Sequence, residues 1–298
     1  MMVLPGAVWL ILLRYLPMFG ILIAFMDYKL PNPGYVKQHG FVQDILRRDW
    51  VGFNNFKLLF GNPMTGNFIR NTLLYNITFI VLGLLIAVSF AIMISELSHK
   101  RIAKVYQTFM FFPYFISWVV VSYFLWAFIS PRTGIIKPEV FGLSNFYQQP
   151  EPWPFIIIMS NIWKMTGYST ILYLAAIAGI DTTQYEAASI DGASKWKQII
   201  HVTLPNLRTI IIILFIMNVG RIFNADFGQF WALPRDGGAG RVVEAIEVVD
   251  TYVYRLLDTS VNIGQSTAVS LFQNFIGFIC IMVANTVVRK VDRESALF

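Results

Sequence analysis

The sequence predicts an all-α fold, a polytopic transmembrane helix bundle with six predicted spans. Three observations support this prediction: 56% of the residues are hydrophobic, only 13% are charged, and the apolar residues are collected in long runs. Soluble domains contain about 25% charged residues on average. A soluble protein of 298 residues could not cover its surface with half that share, so a lipid-facing surface is the simplest explanation.

Each span is predicted from the length of an apolar run, because about 20 apolar helical residues cross a bilayer core of about 30 Å. The runs cover approximately residues 4–26, 68–95, 105–129, 154–179, 204–226 and 266–288. No repeat, low-complexity tract or soluble domain separates them. We therefore expect residues 1–298 to form a single transmembrane domain.

The first run is expected to be a retained span. It is longer than the apolar region of a signal peptide and lacks a small-x-small cleavage site. Since the sequence opens almost directly into this run, we also expect a short cytoplasmic leader to precede it in the native protein.

The connections between the runs differ in length and in basic charge. The long ones cover residues 27–67, 130–153 and 227–265, and the short ones cover residues 96–104, 180–203 and 289–298. Lys and Arg are denser in the short set, which is the pattern of cytoplasmic loops, so both termini are expected in the cytoplasm. The net charge of +6 fits anchoring at anionic lipid and not nucleic-acid binding, because the basic residues flank apolar runs.

Two of the long connections are expected to contain helices. Residues 50–60 place Phe53, Phe56 and Phe60 at helical spacing, which is typical of an amphipathic helix at the membrane surface. Residues 244–257 also repeat apolar side chains at helical spacing. They are expected to cap the bundle or contact a partner, and packing onto the protein's own loops is an equally good interpretation.

The connection 180–205 has the most informative pattern. Asp181 and the two threonines after it can cap a helix, and Gly192 breaks that helix and allows a tight bend. Pro205 fits the first turn of the next span. Three alanines remove side-chain bulk and permit close approach of another surface: Ala187, Ala188 and Ala193. The pattern predicts a short helix–turn–helix across the ends of two membrane helices, suited to rigid docking.

This connection resembles the EAA loop of the permeases of ABC importers, which forms the coupling helix that inserts into the ATP-hydrolysing subunit. The motif is Glu-Ala-Ala-x-x-Asp-Gly-Ala, starting at Glu186, followed by Leu-Pro. The resemblance implies that the ATPase-coupling residues are Glu186, Ala187, Ala188, Asp191, Gly192, Ala193, Trp196, Leu204 and Pro205.

Further motifs extend the resemblance over essentially the whole chain. Asn71-Thr-Leu, Gly192-Ala-Ser-x-Trp and His201-x-Thr-Leu-Pro are similar to the carbohydrate-uptake branch. Four others are similar to the LplB-like oligosaccharide permeases, which are related to the maltose-transporter permeases: residues 15–18, 23–28, 250–255 and 294–298. Residues 230–240 depart from the pattern because they are richer in glycine.

The resemblance implies a type I ABC importer permease fold and a permease subunit of an ATP-driven carbohydrate importer in the bacterial cell membrane. The implied partners are a second homologous permease, two copies of a cytoplasmic ABC ATPase, and an extracytoplasmic sugar-binding lipoprotein that delivers the substrate. ATP and Mg would be bound by the ATPase, so no cofactor and no metal are expected in this chain.

Polar residues within the predicted spans are candidates for the substrate pathway, because polar groups inside a bilayer usually face a cavity or a partner helix. Amides, hydroxyls and aromatic rings suit the hydroxyl edges and apolar faces of sugars. The candidates are Tyr123, Trp126, Asn161, Trp163, Tyr168, Asn218, Arg221, Asn224, Gln273 and Asn274. Helix packing remains the alternative for the small residues Ser266 and Ser270.

Catalytic motifs are absent from the sequence. It contains no Gly-Lys dipeptide of a phosphate-binding loop, no Gly-x-Ser-x-Gly elbow, and three histidines without metal-ligand spacing. A membrane-embedded enzyme would need a cluster of His, Asp or Ser within the predicted spans, and the sequence shows none there. A secondary transporter would need coupling carboxylates within the spans, and apart from Asp226 near the end of one span none is obvious.

Overall fold

A computed structural model describes residues 4–29, 36–38, 40–61 and 63–291 of the chain. Within these ranges the protein is helical, and its β structure is limited to an isolated bridge between Met26 and Trp50. The motif at residues 294–298 and the expected leader lie outside the described residues.

Thirteen helices organise the described residues. In chain order they are α1 Leu4–Phe25, α2 Phe41–Leu46, α3 Lys57–Gly61, α4 Pro63–Ser95, α5 Lys100–Phe111, α6 Trp118–Ile129, α7 Trp153–Ala178, α8 Thr182–Ile190, α9 Lys195–Val219, α10 Phe227–Ala232, α11 Arg241–Ile246, α12 Val249–Arg255 and α13 Ile263–Val291. Helix α1 changes from α to π geometry at Ile11–Tyr15 and to 3₁₀ geometry at Leu16–Phe25. Separate 3₁₀ turns lie at Gly52–Phe56, Phe112–Phe115 and Pro138–Phe141.

The predicted fold class is confirmed. Helices α1, α4, α9 and α13 are long and apolar enough to cross a membrane, and α5 with α6 forms a fifth candidate that is bent by 98°. Helix α7 has 26 residues and is long enough as well, but it is less apolar because Asn161, Lys164 and several hydroxyl groups lie within it. This arrangement is consistent with six spans.

Two predicted spans differ from the structure. The third, at 105–129, is interrupted between Phe115 and Trp118, because Pro113 has no backbone N–H and Ile116 adopts an extended conformation. The fifth, at 204–226, ends at Val219, and residues 220–226 are irregular. An apolar run predicts that a segment crosses the membrane but does not reveal such interruptions.

Two surface helices also differ from prediction. Residues 50–60 form a 3₁₀ turn up to Phe56 and only then an α-helix, and residues 244–257 divide into α11 and α12 at Glu247. Both parts of the second segment pack on α4. The Asn71 amide donates to the carbonyl oxygens of Glu244 and Glu247, and the amide N–H of Val249 donates to Thr72 Oγ1.

The core of the bundle lies along α4 and α7. On the side of α8, Ala87 and Ala91 of α4 are fully buried against Tyr173 of α7 and Leu207 of α9. Small residues on α4 let the helices approach closely, as is usual in membranes. By contrast, most side chains of α1 are exposed, and its C-terminal end is held by Asn55, which donates to the carbonyl oxygens of Ala24 and Met26.

Candidate coupling and translocation sites

The connection between α7 and α9 forms the helix–turn–helix that the sequence predicts. Asp181 caps α8 by accepting a 2.9 Å hydrogen bond from the amide N–H of Thr183. This bond lowers the pKa of the Asp181 carboxyl group. Gly192 ends the turn with φ +75, a conformation that favours glycine.

Hydrogen bonds hold the turn in one shape. Gln198 is buried, and its amide donates to Ser189 Oγ at 2.9 Å and to the carbonyl oxygen of Ala193 at 3.3 Å. The amide N–H of Ala193 donates to the carbonyl oxygen of Ala188 at 2.9 Å. Since these bonds cross the bend, α8 and the first turn of α9 form one unit.

The same unit is tied to the membrane helices. Tyr185 and Thr203 share a 3.0 Å hydrogen bond between their hydroxyl groups, and the Asn206 amide donates to Gln184 Oε1 at 2.8 Å. Lys195 pairs with Glu96 near the end of α4 at 3.2 Å. The unit is therefore attached both to the body of α9 and to the end of α4.

Two large apolar side chains are exposed on the surface of this otherwise polar loop. Ile190 is 86% exposed and Trp196 is 70% exposed, on either side of Gly192. Glu186, Ala187 and Asp191 are exposed beside them, and Ala188 and Ala193 are half-buried. Large exposed apolar side chains outside the lipid mark contact surfaces for other proteins. Ile190 was missed in the sequence, because it occupies an unspecified position of the motif.

Residues 195–219 form one continuous helix, and within it Leu204 and Pro205 lie in the first turn of the α-helical part Leu204–Val219, as predicted for Pro205. A π-helical turn at Ile199–Thr203 directly precedes them. Because proline has no N–H and crowds the carbonyl group four residues earlier, the helix must widen locally, and a π turn provides that space.

Lys164 organises the interruption between α5 and α6. Its side chain is 6% exposed, and its ammonium group donates to the carbonyl oxygens of Pro113, Tyr114 and Ile116 at 3.3, 2.7 and 2.6 Å. The bend leaves the carbonyl groups of Tyr114 and Ile116 without a backbone donor, while that of Pro113 also accepts from the amide N–H of Ile116 at 3.2 Å. A bilayer core contains no water to replace the missing donors. The three protons of one lysine match the three acceptors. Lys164 holds the bend in place.

Both limbs of the bend are attached to α7. A Cβ atom on Gly167 would lie 1.8 Å from the carbonyl oxygen of Met110, so α5 and α7 touch at their backbones. On the other limb, Trp118 of α6 belongs to one buried hydrophobic cluster with Trp153 and Ile157 of α7. Helix α10 is tied to α7 as well, since Gln229 donates to the carbonyl oxygen of Ile157 at 2.7 Å and accepts from Asn161 at 2.8 Å. Helix α7 is thus the frame on which the interrupted helix is built.

A second interruption follows α9, at residues 220–226. Its carbonyl groups are also held by side chains: Asn76 donates to the carbonyl oxygen of Ile222 at 2.8 Å, and Gln273 donates to that of Phe223 at 2.6 Å. The two interruptions meet where Trp118 Nε1 donates to Asp226 Oδ2 at 2.6 Å. Sequence reasoning gave no role to this hydrogen bond, since its partners are distant in the chain.

The pathway candidates fall into two groups in the structure. Asn161 and Gln273 hold helices together, Trp126 lies under Arg235 at 4.3 Å, and Tyr168 stacks on Tyr114 at 4.7 Å. The remaining six have exposed side chains: Tyr123, Trp163, Asn218, Arg221, Asn224 and Asn274. No substrate contact tests either group, so their role in a pathway stays a prediction.

Membrane-crossing helices, a protruding helix–turn–helix and two interrupted helices in one bundle define a membrane transport subunit. Comparison with known proteins identifies the family. The chain belongs to the binding-protein-dependent transport system inner membrane components, which match residues 79–289.

Individual relatives agree with this family. The chain is 35% identical to Protein LplB of Bacillus subtilis, over 99% of this chain and 89% of that protein. It is 33% identical to the polygalacturonan/rhamnogalacturonan transport system permease protein YteP of the same species, over 99% and 88% of the two chains. Among solved structures, it matches a bacterial alginate ABC transporter in complex with its alginate pentasaccharide-bound periplasmic protein, with TM-score 0.81, 31% identity, and coverage of 97% and 93%.

Proposed function

We propose that this protein is a permease subunit of an ATP-driven importer that takes up an oligosaccharide across the bacterial cell membrane. Family membership supports the import role. The substrate class is supported by relatives named for the transport of polygalacturonan, rhamnogalacturonan and alginate. The chain itself performs no catalysis in this proposal, and ATP and Mg are bound by the partner ATPase.

The observation that carries the proposal is the rigid loop with two exposed apolar side chains, Ile190 and Trp196. In the proposed assembly this loop seats in the ATPase, on the cytoplasmic side together with both chain termini. A second permease completes the pathway, and a binding protein delivers the sugar from outside. Closure of the ATPase dimer on ATP draws the two coupling loops together. Helix α9 follows because of its bonds to α8, and α4 follows because of the ion pair between Glu96 and Lys195 of α9.

The test uses the complete transporter purified through an affinity tag on this chain. We expect Ile190→Asp with Trp196→Ala to abolish retention of the ATPase, because both apolar contacts at the centre of the docking surface are lost. A matched control is Val140→Asp, since Val140 is 78% exposed on the opposite, outer connection. This control should retain the ATPase. Equal retention in all three proteins would contradict the proposed docking surface.

A further inference from the structure

The second interruption packs against the middle of α13. Gly277 is the central residue of the 29-residue helix α13, and a Cβ atom on it would lie 2.7 Å from the carbonyl oxygen of Gly220. Arg221 is the next residue. The side chain of Arg221 therefore leaves the backbone at the level of the middle of α13.

The charged neighbours of this segment are all engaged. Lys164 donates to three carbonyl groups, and Asp226 accepts from Trp118 and from the amide N–H of Gln229. Asp250 accepts from the amide N–H of Ala225 at 2.8 Å and from Gln273 at 3.1 Å. The guanidinium group of Arg221 is exposed and forms no hydrogen bond or ion pair with the described part of the chain.

A permanently charged group at this depth does not face lipid, because burying it there is costly. The exposed face of Arg221 therefore borders water or a group of opposite charge. Asn224, one turn further along the same segment, is exposed beside it and offers an amide to a hydroxyl group. Guanidinium and carboxylate groups form paired hydrogen bonds in a fixed geometry.

We propose that Arg221 recognises a carboxylate group on the passing sugar, so that the substrate is an anionic oligosaccharide containing uronic acid. The inference rests on the proposed function and narrows its substrate. Arg221 provides the charge at the midpoint of the pathway, and the tied carbonyl groups of residues 222 and 223 fix the position of its backbone.

The test measures uptake by the complete transporter, reconstituted with its second permease, ATPase and binding protein in lipid vesicles. The probes are a radiolabelled uronic-acid trisaccharide and the same trisaccharide with its carboxyl groups methyl-esterified. We expect Arg221→Gln to lower the acid-to-ester uptake ratio about tenfold, and Arg221→Lys to restore part of it, because a charged hydrogen bond is lost in the first and partly replaced in the second. The binding protein's own preference for the acid or the ester does not affect the comparison between variants, because every vesicle preparation contains the same binding protein.

The control is Arg132→Gln, which removes the same charge from an exposed position of the outer connection and should leave the ratio unchanged. If Arg221→Gln reduces uptake of both sugars equally, Arg221 pairs with the second permease and the inference is wrong, while the proposed function stands. If wild type transports only the ester, the inference is likewise overturned. If the wild-type transporter moves no sugar of any kind, the proposed function fails as well.

Discussion

The chain bends at Gly192 and also between α5 and α6, and these two bends lie in different environments and are built differently. At Gly192, in the loop between α8 and α9, the bend relies on a glycine with φ +75 and on a few local hydrogen bonds. Between α5 and α6, the bend relies on Lys164, which reaches it from another helix. Water satisfies free backbone groups at the first bend, whereas the bilayer core offers none at the second. A bend inside the membrane therefore needs a tertiary contact.

The largest effect is expected where that tertiary contact is removed. Lys164→Met keeps the length of the side chain but leaves the carbonyl groups of Tyr114 and Ile116 without a donor, while that of Pro113 keeps the amide N–H of Ile116. Each stranded group costs about 1–3 kcal/mol, so we expect a loss of at least about 2 kcal/mol and a clearly lower Tm of the purified complex. Lys137→Met, at an exposed position, is the control. An unchanged Tm in Lys164→Met would show that water reaches the bend.

A smaller effect on stability is expected at the water-exposed bend. Gly192→Leu places a side chain in the left-handed region, which costs about 1–2 kcal/mol, although its Cβ atom meets no atom within 4 Å. We expect the protein to insert and keep nearly the same Tm, while uptake falls because the loop no longer presents its docking surface. Gly83→Leu is the control: its Cβ also meets nothing within 4 Å, and its backbone has no positive φ. Normal uptake by Gly192→Leu would argue against coupling through this loop.

The smallest effect is expected from the cap of α8. The pKa of Asp181 is lowered by its hydrogen bonds with Thr183, so its contribution to helix stability is complete above about pH 3.8 and is lost as the pH falls through the lowered value. The measurement is the hydrogen-exchange rate of the α8 amides in the wild type and in Asp181→Asn, compared at the same pH so that the intrinsic pH dependence of exchange cancels. We expect the rates of the two proteins to converge in acid. A constant ratio of the two rates from pH 2 to 7 would contradict this role of the charge.

Local features were the ones that could be predicted from the sequence. Gly192, the cap at Asp181 and the alanines of α8 act within a few residues of one another, so the helix–turn–helix follows from their order. The approximate positions of the spans follow from apolar runs in the same way, although their interruptions do not. The helical class of the fold was therefore predictable throughout the described residues.

Features that depend on contacts between distant residues could not be predicted. In the sequence, Lys164 is a single charged residue in an apolar run. Its three acceptors lie 48 to 51 residues earlier in the chain. The early end of α9 at Val219 depends on side chains of α4 and α13, which donate hydrogen bonds to the carbonyl groups of the irregular residues that follow. Gln273 was predicted as a pathway residue from its polarity, and its bond to Phe223 is visible only in three dimensions.

A single hydrogen bond, from Trp118 to Asp226, connects the interruption between α5 and α6 with the interruption at residues 220–226. Loss of Asp226 leaves the indole N–H of Trp118 without its acceptor, and loss of Trp118 leaves Asp226 with the amide N–H of Gln229 as its remaining donor. Both changes are disfavoured beside lipid. Over evolutionary time the two positions should therefore be inherited as a pair. A relative that lacks a tryptophan at position 118 should also lack an aspartate at position 226, and the shape of both interrupted helices can then differ from the one described here.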